Sequence, residues 1–138
     1  MREPMIPVRN GFRVVLILWA GSLWSLAAWV VPTLFHAEDN RHLAGVLAAR
    51  LFSIETYAGI ATAVFALVLP RRGKFAWGFV AAALLCIDEW VLKPFMEAAH
   101  ARGMAAGLSF GAWHGVSAAL YLAACLLVLA LVWNEDFR

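Results

Sequence analysis

Charge is scarce in this chain, and that scarcity settles its class. Asp, Glu, Lys and Arg make up 14% of the 138 residues, against 64% hydrophobic. Mean hydropathy is +0.78. A soluble domain keeps roughly a quarter of its residues charged to cover its surface, so here the surroundings must be lipid. Cysteine is nearly absent: Cys86 and Cys125 both lie in apolar stretches, read as buried free thiols, and leave the redox compartment open. A net charge of +2 with no block of basic residues argues against nucleic acid as a partner. No ligand spacing resembles a zinc finger or an HExxH helix, and no internal repeat or low-complexity segment is evident. Ser117 follows His114 by three positions, yet neither an oxyanion-hole loop nor a strained nucleophile turn accompanies it. A hydroxyl bonding back to its own helix is the better reading. The chain is not expected to be an enzyme.

What is present is apolar length. Stretches 14–35, 51–70, 75–92 and 112–133 each approach the ~20 residues that ~30 Å of hydrocarbon requires. Open strands would leave backbone groups unpaired in lipid, so helices are expected. Ser25-Leu26-Ala27 resembles a signal-peptide cleavage site, but the apolar run continues to Phe35, beyond the about 7–15 residues of a signal core. The first stretch is expected to stay. The reading is an all-α, single-domain, integral membrane four-helix bundle over residues 1–138.

Four spans put both termini on one side. Arg2, Arg9, Arg13, Arg71, Arg72, Lys74 and Arg138 fall there, and Arg41, Arg50, Lys93 and Arg102 fall opposite. That bias predicts cytoplasmic termini and an inner-membrane location of bacterial type. "RRGK" (71–74) reads as a tight inner turn, Asp39 as the cap of a helix entering the second span, and the third span as continuing past Pro94 toward His100.

Ionisable residues inside such spans are functional candidates by default. Helical spacing groups Phe52, Glu55, Gly59, Thr62, Ala63 and Ala66 on one face of span two, and His114, Ser117, Tyr121 and Cys125 on one stripe of span four. Span one offers Gly21, Ser22, Ser25, Pro32 and His36 along one side. Glu89 and Lys93, four apart with the acid first, predict a structural ion pair. Asp88 is turned about 100° from that pair and needs another partner. Glu55, Asp88 and His114, with His36 and Arg50 at the same end, all fall about 5–12 Å outside the midplane at the helical rise. They predict an outward-opening polar pocket, with Ser117 beside His114. The bland alternative is that Arg50 and His114 neutralise Glu55 and Asp88 and lock the helix register.

"WAGSLW", "VVPTLF", "ARLF", "DEWVLKP" and "WHGVS" (19–24, 30–35, 49–52, 88–94, 113–117), in that order, resemble the small membrane proteins of domain of unknown function 4149. The animal transmembrane protein 205 looks like a relative. The family pattern falls on Gly21, Trp24, Pro32, Phe35, Arg50, Leu51, Phe52, Pro94, His114, Gly115 and Ser117. Asp88 stands where relatives tend to have Asn. The resemblance implies no catalytic activity. Through the animal member's association with resistance to platinum drugs, it implies handling of soft metal complexes.

Three functions are therefore weighed. A transporter or binding protein for a cation, metal or metal complex would use Glu55, Asp88 and His114, with His36 at the mouth; carboxylate and imidazole suit a divalent metal ion. An assembly protein would use the small-residue faces Gly59–Ala63 and Gly78–Ala82, against another copy as a homo-oligomer or another membrane protein. A haem protein would need His36 and His114 to share one flat slot, which no helix pair clearly offers.

Overall fold

The computed structural model describes residues 5–67 and 76–136. The "RRGK" turn, and with it Arg71, Arg72 and Lys74, lies outside the described residues, as do Arg2 and Arg138. The described chain is helical apart from one small hairpin: α1 (Met5–Ser25), a π-helical stretch (Leu26–Val30), α2 (Val31–Ala37), α3 (Arg41–Leu67), α4 (Ala76–Ile87), a second π-helical stretch (Asp88–Leu92), α5 (Lys93–Arg102), β1 (Met104–Ala105), β2 (Leu108–Ser109) and α6 (Phe110–Asp136).

Three helical runs, Asn10–Ala37, Arg41–Leu67 and Phe110–Asn134, are long and apolar enough to cross a membrane. The rod from Ala76 to Arg102 carries Asp88, Glu89 and Lys93 inside its apolar stretch, and it is not among those three. The molecule is a helical membrane protein. In its packing, α3 lies against α1 and α4, and α6 closes the ring by touching both α1 and α4.

The two π-helical stretches share a cause. Pro32 falls in the first turn of α2, and Pro94 in the first turn of α5. A proline ring inside a straight α-helix collides with the carbonyl four residues back. Here the winding loosens just before each proline: the Val31 N–H donates to the Leu26 carbonyl, and the Lys93 N–H to the Asp88 carbonyl. Each is a five-residue step that inserts one extra residue into the turn. The extra residue also rotates the face that follows.

The reading of span one needs correction. Of Gly21, Ser22, Ser25, Pro32 and His36, only Ser22 is partly buried; the other four are exposed. The interior instead takes the bulkier apolar positions Leu16, Trp19, Leu23 and Leu26. The expected face of α3 is correct: Glu55, Gly59, Thr62 and Ala66 are buried, with Phe52 and Ala63 half-buried.

Small residues bring the helices together. A Cβ on Gly59 would sit 2.7 Å from Cζ2 of Trp19, so the glycine is what lets the indole lie flat on α3. On α4, Ala81 and Ala82 are buried in the same core as Leu16, Leu23, Cys125 and Val128. Without a hydrophobic force between helices in lipid, such close approach is the main source of helix association. The Gly59–Ala63 and Gly78–Ala82 faces are thus used within the chain.

At the other end, Asn40 rather than Asp39 caps α3. Its Oδ1 accepts from the backbone N–H of His42 and Leu43, at 3.1 and 3.2 Å. The Asn40 N–H itself donates to Oε1 of Glu38. Both residue types make good caps, and the connection's geometry, one residue later than expected, decides between them. The α3 helix then runs unbroken to Leu67, and the third rod continues past Pro94 to Arg102, as expected. The short hairpin β1–β2 was not anticipated. Ala106 and Gly107 both have positive φ at its tip, 49° and 80°, as the favoured two-residue hairpin turns require. Trp113 holds it down by donating to the Ala105 carbonyl at 2.9 Å and stacking on Phe95.

Candidate functional site

The polar residues of the spans gather in two groups that do not share neighbours. The first is centred on Glu55, whose side chain is buried. The Ser22 hydroxyl lies 3.0 Å from its Oε2 and also 2.9 Å from the Trp19 carbonyl. A hydroxyl carries one proton. The Trp19 carbonyl and the Glu55 carboxyl therefore compete for it. Tyr121 and Cys125 lie in the electrostatic neighbourhood of Glu55. The Tyr121 hydroxyl donates to the Leu23 carbonyl at 2.9 Å, and its ring stands edge-on to Phe52. Among the described residues no basic side chain pairs with Glu55.

The second group lies on and around the second π-helical stretch. Lys93 donates to Oε1 of Glu89 at 2.8 Å and to the Ser53 hydroxyl at 3.2 Å, and Ser53 lies 2.7 Å from the same Glu89 oxygen. The anticipated ion pair is therefore real, and it is pinned to α3 by Ser53, which sequence reasoning did not single out. The signal was there: a serine two residues before Glu55, on the opening turns of an apolar run.

Asp88 faces the other way, as the 100° step demands. Ser117 is beside its carboxyl, and His114, Lys93 and Glu89 are the ionisable groups around it. Its Oδ1 is buried and has no hydrogen-bond partner among the described residues. The other two such atoms are the indole nitrogens of Trp19 and Trp24; Asp88 is the one acceptor, and a carboxylate in that position is costly.

Of the remaining predicted residues, Arg50 and His36 stand apart, while His114 stays beside Asp88. Arg50 is exposed and pairs with neither Glu55 nor Asp88. Five residues separate it from Glu55, which at 100° per residue turns it about 140° around α3, so the predicted neutralisation does not occur. His36 is exposed at the end of α2, which packs on α3. His114 is exposed at the start of α6 and stacks on Phe110, which in turn meets His100 edge-on. No group of three or more His, Cys, Asp or Glu among the described residues could hold a metal ion. The expected convergence of Glu55, Asp88 and His114 on one ion is corrected accordingly: α3 turns Glu55 toward α1 and Ser22, whereas Asp88 meets Ser117 of α6.

No curated protein matches this chain, and no solved structure matches it. A family model does match, over residues 14–105. That interval contains α2, α3, both π-helical stretches and the Glu55, Glu89–Lys93 and Asp88 positions. With more than half its length matched, the chain belongs to the DUF4149 family, a domain of unknown function.

Proposed function

We propose that the chain is a four-span membrane bundle with both termini in the cytoplasm, and that it binds and passes a small cation through the polar positions Asp88 and Glu55. The third rod completes the four spans: its charged residues are paired or turned inward, so their cost does not fall on lipid contacts. The observation that carries the cation reading is the buried, unpartnered Oδ1 of Asp88 beside Ser117. A cation there would supply what the protein leaves unfilled. A π-helical stretch at that same residue fits the tendency of such bulges to mark functional sites. The isolated acids favour a proton or another monovalent ion over a chelated metal, because metals of the zinc type take three or four protein ligands.

The test is ion flux into liposomes carrying the purified chain. Asp88→Asn keeps the shape and removes the charge; flux is expected to fall to the protein-free level, with helix content unchanged by circular dichroism. Undiminished flux in Asp88→Asn and in Glu55→Gln would overturn the reading. Elemental analysis of the wild type tests the metal version, and stoichiometric metal lost in His114→Ala would restore it.

A second reading, an assembly protein whose buried charges are structural, is favoured by the closed Ser53–Glu89–Lys93 group. It predicts that Asp88→Asn changes stability and that neither wild type nor variant conducts.

A further inference from the structure

A groove of about 600 Å³ opens sideways between the end of the first rod and the opening turns of α3. Trp29, Val30, Leu34, Leu47 and Leu51 make its walls, and Thr33 and Arg50 are its polar members. The π-helical stretch creates it: Trp29 and Val30 belong to that stretch, and the rotation it imposes turns Thr33 and Leu34 toward α3. On α3 the matching positions 47, 50 and 51 share one helical face.

Arg50 is the odd residue there. It is exposed and makes no hydrogen bond or ion pair with any described residue. An arginine does not lose its proton in a protein, so at the edge of an apolar groove in a membrane protein it needs an anion from elsewhere. Guanidinium and phosphate oxygens pair in a two-pronged geometry. Lipid is the one component always present at such a groove.

We propose that this groove is a binding site for an anionic phospholipid, its phosphate held by Arg50 with the Thr33 hydroxyl and its acyl chain lying along Trp29, Val30 and Leu51. The assignment does not rest on the cation reading, since neither Glu55 nor Asp88 lines the groove. A charged, two-pronged contact of this kind supports about a tenfold preference over a lipid of no net charge. Attraction to a charge at the surface weakens with salt.

The full chain, purified and exchanged into mixed micelles, is titrated with phosphatidylglycerol and separately with phosphatidylcholine, and retained lipid is counted by native mass spectrometry. Wild type is expected to retain phosphatidylglycerol about tenfold better, with the preference shrinking as salt rises. Arg50→Gln is expected to hold both lipids equally, and Arg50→Lys to keep part of the preference. Leu47→Trp, which fills the groove without touching the charge, is expected to lower retention of both. Should Arg50→Gln fail to fold, Leu47→Trp alone decides: an unchanged lipid count overturns the site. So does a phosphatidylglycerol preference that survives Arg50→Gln. A dimer mass with no lipid attached, abolished by Leu47→Trp, would assign the groove to a second copy and likewise overturn the proposal.

Discussion

Gly59 shows how much a single hydrogen atom decides inside lipid. Its missing Cβ is the space into which the Trp19 ring fits, at what would be 2.7 Å. The indole is itself 3% exposed and wedged against α3, so it has little room to retreat. Gly59→Ala is expected to cost about 1–3 kcal/mol by overpacking, read as a lower thermal midpoint in detergent. A midpoint equal to wild type would mean that Trp19 swings aside freely. The Ser53–Glu89–Lys93 group makes a second case at this scale. The two carboxylate contacts share one oxygen, Oε1, so removing either partner loosens the other. A double-mutant cycle of Ser53→Ala with Glu89→Gln is expected to show a coupling near the ~0.6 kcal/mol average of interhelical hydrogen bonds. Strictly additive losses would show that the hydroxyl and the carboxylate do not act together.

Among the elements, the two rods that contain prolines behave alike. In each, the winding loosens over five residues and tightens again at the proline. The first loosening lies beside the Arg50 groove, and the second begins at Asp88, whose carboxyl meets Ser117 of α6. The β1–β2 hairpin is a different kind of element, a turn sealed by Trp113. Its tip puts Ala106 at a φ of 49°, a region that costs an ordinary L-residue roughly 1–2 kcal/mol and that Asn tolerates better. Ala106→Asn is therefore expected to raise the unfolding midpoint and Gly107→Ala to lower it, both measured by thermal scans of the purified protein. Equal midpoints would show that the hairpin melts before the bundle does.

For the whole molecule, the arrangement across the bilayer is the statement open to direct measurement. The proposed orientation places the 38–40 connection and the β1–β2 hairpin outside, with both termini inside. Cysteines introduced as Asp39→Cys and Ala106→Cys are expected to react with a membrane-impermeant maleimide on intact cells. Native Cys125 is buried and Cys86 half-buried, so they give a low background. Labelling of only one of the two new positions would remove the third rod from the set of spans. Labelling of neither until the cells are opened would invert the orientation.

Composition and apolar length alone determined that this chain is helical and lives in lipid, because a surface so poor in charge has no other stable surroundings. Helical spacing also determined the inward face of α3 and the Glu89–Lys93 pair, since residues three and four apart stay neighbours along a helix, even across the loosened winding of 88–92. The tertiary structure decided the rest. Trp19 chose Gly59, Ser53 closed the ion pair, and Ser22 met Glu55, all across helices, where spacing along the chain carries no information. The direction of the residues that follow Trp29 in the first rod turned on a single extra residue in a π-helical turn. That residue changes which way every later side chain points, and it is set by a proline's collision with the backbone, invisible to a count that assumes 3.6 residues per turn.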